Sequence, residues 1–208
     1  MKNKGFVFLV INIGNWIVHL AYINVLWFLH SAIGLFILGV FPSTVALFSI
    51  IRQRLKHGSV SAVWSTYHKA FKDNFVSSNV VGYLYMGVGI ITYVDFKFLQ
   101  LQDSMIFITL SYSLLIFLLI YGVMGLFLFP MLTHYELKIL HYFKYTFIIM
   151  VSHPANLLLT IIGLIVIWIV MLFIPGLLLF YGLSIPAYII MWSNYRVYKK
   201  IDMKISEK

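Results

Sequence analysis

The charged side chains of this chain are gathered into a few short stretches, and what separates them is apolar for long enough to cross a bilayer. Of its 15 lysines and arginines, all but Lys97 fall at the N-terminal tip (Lys2, Lys4), in 52–72, in 138–144 or in the tail from Arg196 onward. Hydrophobic residues are 62% of the chain and charged residues 10%, against about 45–50% and 25% in soluble domains. A water-soluble fold of 208 residues could not bury so much apolar surface, whereas hydrocarbon solvates it. The net charge of +9 is therefore read as a topology signal and not as a nucleic-acid footprint. The basic residues flank apolar runs, where they meet anionic headgroups and set orientation, and no stretch is polar enough to fold as a solvated nucleic-acid-binding domain. With no cysteine present, disulfides, thiolate catalysis and cysteine metal sites are excluded.

A crossing helix needs about 20 mostly apolar residues. The pattern predicts an all-α polytopic bundle, one transmembrane domain over 1–208, with six spans at about 6–29, 33–51, 76–96, 105–129, 147–169 and 172–193. The first run is too long for a signal peptide, and no small-residue cleavage site follows it, so it is read as an uncleaved span. Pro42 and Pro186 are expected to kink the second and sixth spans, with neighbouring helices covering the freed carbonyls. Pro130 is expected to end the fourth, Pro154 lies near the start of the fifth, and Pro175 lies in the turn before the sixth. Basic segments stay on the cytoplasmic side. Six crossings with both ends inside leave only Lys97 outside. Merging the first two segments gives five crossings and puts Lys2 and Lys4 outside.

The segment 59–75 differs in kind. Val60, Val63, Trp64, Tyr67, Phe71 and Phe75 recur at helical spacing, with Ser61, Ser65, His68, Lys69, Lys72 and Asp73 on the other face. This predicts an amphipathic helix along the inner membrane surface, able to dock a partner through Trp64, Tyr67, Lys69, Phe71 and Lys72. A weaker interfacial stretch runs from Thr133 to Lys144.

Polar residues within spans are the usual functional suspects. Asn12, Asn15, His19 and Tyr22 lie along one stripe of the first span, and Ser152, His153, Asn156 and Thr160 lie in the fifth. Asn12, Asn15, His19, His153 and Asn156 could line a polar path; ordinary interhelical hydrogen bonding is the plainer reading. No Asp, Glu, Lys or Arg lies deep in a span, which argues against an ion-coupled pump. No H-E-x-x-H pattern, P-loop or nucleophile–base pair occurs, so neither an enzyme, a metal site nor a bound cofactor is expected. Gly39 with Ser43, and Ser78 with Gly82, have the spacing of close helix packing.

The run Phe41-Pro42-Ser43-Thr44-Val45-Ala46-Leu47-Phe48, the basic Arg52-Gln53-Arg54, and the stretch from Trp64 to Phe75 ending Phe-Lys-Asp-Asn-Phe resemble the YesL-type family. Asp95, and Asn156 with Leu157 to Leu159, fit the same pattern. These are small bacterial membrane proteins carried as a domain of unknown function and commonly encoded beside oligosaccharide ABC importers. The resemblance implies a multi-pass protein of the bacterial plasma membrane with a role near carbohydrate uptake; it brings no site residues. The leading expectation is an accessory or regulatory subunit of a carbohydrate ABC importer, with membrane lipid and the importer's permease as partners. A stand-alone facilitator of a small polar solute is the alternative, and a structural or lipid-interacting membrane protein is a third reading.

Overall fold

A computed structural model describes the backbone of residues 2–206 and the side chains of residues 14–206. Every regular element among the described residues is a helix: α1 (Lys2–Ile33), α2 (Val40–His57), α3 (Val63–Asp73), α4 (Phe75–Leu99), α5 (Met105–His134), α6 (Ile139–Ser152), α7 (Pro154–Phe173), α8 (Pro175–Tyr181) and α9 (Ser184–Ser206). Four are long and apolar enough to cross a membrane alone: α1, counted from Gly14, α4, α5 and α7. Counting α8 and α9 as one span, bent by 65°, makes five. The expected span 147–169 is in fact two helices, α6 and α7, separated where His153 leaves the helical region with φ −129° and ψ 61°. The expected span 33–51 is a turn followed by a helix. Residues 34–39 are not helical, so α2 contributes only Val40–Ile51 as apolar helix before Arg52, about 18 Å at 1.5 Å per residue.

Around α2 the rest of the chain is arranged. Half of it is buried, including Val45, Ala46, Leu47, Ile50 and Ile51. On one side it joins a core built with Leu20, Ile23 and Leu26 of α1, Tyr67 and Phe71 of α3, and Ala187 and Met191 of α9. On the other, Val45 joins Val81 of α4, Phe127, Leu128 and Met131 of α5, Tyr142 of α6 and Tyr198 of α9. The helices α1 and α2 run antiparallel. The Arg54 guanidinium lies 4.0 Å from the centre of the Trp16 ring, while Trp27 Nε1–H donates to Thr44 Oγ1 at 3.0 Å. Their turn is tight because Gly39 lies on the Ser31 backbone and Gly34 lies on Gly39; a Cβ at either position would collide with main chain. Outward-facing apolar side chains cover α4, α5 and α7, among them Ile91, Ile116 and Ile162, as helices facing hydrocarbon require.

The prolines occupy better positions than expected. Pro154 and Pro175 open α7 and α8, where the missing N–H has no partner to lose. Pro42 and Pro186 fall in the first turns of α2 and α9, so neither kinks a helix interior. Pro130 does not end α5, which continues to His134. An interior proline leaves the carbonyl four residues earlier without its donor. For Pro130 that carbonyl is Leu126, and Asn194 Nδ2 of α9 donates to it at 3.3 Å. For Pro42 it is Leu38, and Asn79 Nδ2 of α4 donates to it at 3.0 Å. At the α8–α9 break, Asn24 inserts between the two halves of a broken helical pair. Its Nδ2 donates to the Leu179 carbonyl at 3.1 Å and its Oδ1 accepts from Leu183 N–H at 3.3 Å.

Candidate functional site

Arg52 ends the buried run of α2. Its guanidinium reaches the last carbonyl of α5, donating to His134 O at 3.4 Å. His134 in turn holds Asp202 of α9, with Nε2 to Oδ2 at 2.9 Å, and the Tyr135 hydroxyl donates to Asp202 Oδ1 at 2.9 Å. The segment after α5 is stapled from within: the Tyr142 hydroxyl donates to Tyr135 O at 2.9 Å and accepts from Leu137 N–H at 3.1 Å. These bonds turn residues 133–138 into one wall of a cleft of about 730 Å³. The opposite wall is Lys69 and Asp73 of α3, then Asn74 and Ser77 where α4 begins.

Burial lowers the Arg52 guanidinium from its usual range, partly offset by Tyr195, yet an arginine so placed stays cationic. Burial and the adjacent Asp202 raise the Tyr135 phenol, so it remains a neutral donor. Around the cleft mouth stand Lys69 and Lys138 against Asp73 and Glu136, all exposed. Among the described residues the one contact between oppositely chargeable groups is His134–Asp202, and these four charges have no ionic partner among them. The arrangement offers recognition of a partner carrying both signs. It presents no nucleophile held by a base.

The expected docking face is divided by the fold. Tyr67 and Phe71 are in the core, 0% and 6% exposed, and cannot contact a partner. The Tyr67 hydroxyl donates to Ser43 O at 2.7 Å, and burial raises its phenol far above the ordinary range. This corrects the reading of α3 as a helix resting its apolar face in the headgroups: that face packs on α1 and α2. Trp64, 47% exposed, Lys69 and Lys72 remain on the surface, and Lys69 lines the cleft. The expected interfacial stretch Thr133–Lys144 is split between the end of α5, the cleft wall and the start of α6.

The residues suggested as a polar path lie apart. The Asn12 side chain is outside the described residues. Asn15 is exposed. His19 neighbours Trp16, with ring centres 6.0 Å apart, and its Nε2 is buried without a partner. Asn156 accepts from Ser193 Oγ at 2.6 Å, and Thr160 donates to Ser193 Oγ at 2.8 Å, which ties α7 to α9. His153 bonds Ile149 O. The helix α1 packs on α2, α3, α8 and α9, while α7 packs on α6, α8 and α9; the helices carrying the two halves of the expected path share α8 and α9 as neighbours but do not pack on each other. Sequence reading overlooked the cleft itself, because its residues come from three separated stretches, 49–53, 66–77 and 132–142. The one local signal was the polar interruption at 133–138.

A family model described as "Protein of unknown function, DUF624" matches residues 20–96, from the middle of α1 through α4. The chain is 28% identical to "Uncharacterized protein YesL" of Bacillus subtilis over 91% of this chain and 89% of YesL. It is 26% identical to "Uncharacterized protein YteU" of the same organism over 97% of this chain and 90% of YteU. No solved structure matches the chain. The similarity to these two proteins thus extends beyond Phe41–Phe48 and Trp64–Phe75 along nearly the whole sequence, and the DUF624 model covers residues 20–96 of it.

Proposed function

We infer that this protein is a non-catalytic accessory subunit of a membrane transport system, docking its partner through the cleft between α3 and residues 133–138. The observation that carries this reading is the mixed charge at that cleft, with Lys69 and Asp73 on one wall and Glu136 and Lys138 on the other, none in an ion pair among the described residues. Charges arranged this way select a complementary partner more than they add raw affinity, and the exposed Trp64 on the same helix supplies an aromatic anchor. The resemblance supplies the partner's class: the permease of an oligosaccharide ABC importer. The facilitator reading has less support, since Asn15 and His19 do not meet His153 and Asn156 in one interface.

The same reading puts the protein in the bacterial plasma membrane with both ends and the cleft on the cytoplasmic side. Six crossings satisfy that orientation. So does an α1–α2 hairpin that returns to the side it entered, with α4, α5, α7 and the α8–α9 pair as four crossings. Crosslinking in native membranes, followed by purification of the permease, tests the docking. The wild-type chain should be recovered with it, and Trp64→Ala combined with Lys69→Glu should lower recovery about tenfold, as loss of one to two anchor contacts predicts. Equal recovery of the variant, or no recovery of the wild type, rejects the proposal.

A further inference from the structure

We propose that the groove between the α6–α7 junction and the last turns of α9 binds the phosphate headgroup of an anionic phospholipid. Along α9, Trp192, Arg196, Lys200 and Lys204 follow one another at four-residue intervals and so share a stripe. A second stripe, Tyr195, Tyr198 and Asp202, turns the other way, onto His134 and Tyr135 at the end of α5. The division has a consequence for charge. Asp202, the one described acid on α9, is bonded on the α5 side, and the stripe facing α7 is left wholly basic.

Two adjoining hollows of about 390 and 400 Å³ lie along that basic stripe and share His153 and Lys200. Arg196 and Lys204 complete their cationic lining, and among the described residues neither hollow has an acid in its wall. The Arg196 guanidinium is held 3.5 Å above the Trp192 ring, which positions it instead of leaving it to sweep through solvent. Asn156 lines the same groove. Above the polar lining the wall becomes apolar at Leu159, on a helix whose outward face is Leu158, Ile162 and Val166. Clustered cations, one of them held in place, at the foot of a lipid-facing helix match a phosphate with acyl chains attached. Basic pockets between membrane helices recognise such headgroups, and each nearby cation adds to the attraction. A soluble phosphate would satisfy the cations but make no use of the apolar wall.

The test uses the full-length chain purified in mild detergent and incubated with phosphatidylglycerol or phosphatidylcholine, with bound lipid read by native mass spectrometry. The wild type should retain phosphatidylglycerol and release phosphatidylcholine. Arg196→Gln combined with Lys200→Gln should lower phosphatidylglycerol retention by about tenfold or more. Lys69→Gln combined with Lys138→Gln removes the same charge from the other cleft and should change little. Lys200→Arg should keep binding and serves as the folding control. Retention unchanged in the groove variant, or lost equally in the control pair, overturns the proposal. So does full displacement of the lipid by equimolar inorganic phosphate, which would make the ligand a soluble anion.

Discussion

Three asparagines in apolar helices, Asn24, Asn79 and Asn194, are each nearly or wholly buried, and each closes a gap in the backbone ladder. Unpaired carbonyls are costly where water is absent, and a primary amide on a neighbouring helix is a compact way to satisfy one. Polar residues in membrane segments invite a functional reading, but here their partners are main-chain atoms freed by Pro42, by Pro130 or by the α8–α9 break. The relation is specific enough to test by a double-mutant cycle. Asn194→Leu should destabilise the protein by about 1–3 kcal/mol, the cost of an unsatisfied buried group, seen as a lower melting midpoint in detergent. In a Pro130→Ala background residue 130 regains its N–H, the Leu126 carbonyl regains its helical donor, and the same substitution should cost about 1 kcal/mol less. Additive effects would show that Asn194 acts elsewhere. Asn15→Leu should leave the midpoint within about 0.5 kcal/mol of wild type, because Asn15 is exposed and heals no break.

At the scale of elements, α3 shows what periodicity can and cannot reveal. The spacing of Trp64, Tyr67 and Phe71 is enough to predict a helix with an apolar face, and the structure has that helix at Val63–Asp73. A hydrophobic stripe is the same signal whether lipid or protein covers it. What the pattern could not say is that Tyr67 and Phe71 are covered by His30 of α1 and by the α2 core, since those contacts join residues far apart in the sequence. The same limit explains the other differences. The apolar runs around α4 and α5 were legible to within a few residues. The run crossing Pro154 was not divided, since hydropathy does not register a backbone break. The cleft draws on three stretches, 49–53, 66–77 and 132–142, and nothing in any one of them says that it meets the others. The two readings of α3 differ in a measurable way. Phe71→Ala should cost about 3–5 kcal/mol, the penalty for truncating a core aromatic, and lower the melting midpoint in detergent without lipid. Trp64→Ala should cost under about 1 kcal/mol. Equal, small effects would return α3 to the membrane surface as a loosely held helix.

For the whole molecule, the central issue is how deeply the α1–α2 hairpin enters the membrane. Its turn meets α4 through two carbonyls, Leu38 accepting from Asn79 and Ile37 from the Tyr83 hydroxyl. Beyond Tyr83, α4 continues to Leu99, about 24 Å farther at 1.5 Å per residue, lined by exposed Val88, Ile91 and Val94. That stretch needs hydrocarbon around it, so the turn cannot lie level with the far ends of α4 and α5. The apolar part of α2, about 18 Å long, is also short of a hydrocarbon core of about 30 Å. The side chains of the turn agree: Leu35 and Ile37 are 81% and 71% exposed, a surface suited to lipid and not to water. These lengths fit a hairpin that enters and leaves on one side. With α4, α5, α7 and the α8–α9 pair as four crossings, such a hairpin would leave Lys2 and Lys4 on the same side as the other basic segments, as six crossings would. The absence of cysteine makes the test direct. Single cysteines at Leu35, Gln102 and Lys72 should be probed in intact cells and in inverted vesicles with a membrane-impermeant maleimide. The Gln102 position should label from outside and Lys72 only from the cytoplasmic face. Leu35 should resist the reagent from both sides while reacting with a lipid-soluble one. External labelling of Leu35 as rapid as that of Gln102 would mean that α1 and α2 each cross, and would restore the six-span topology.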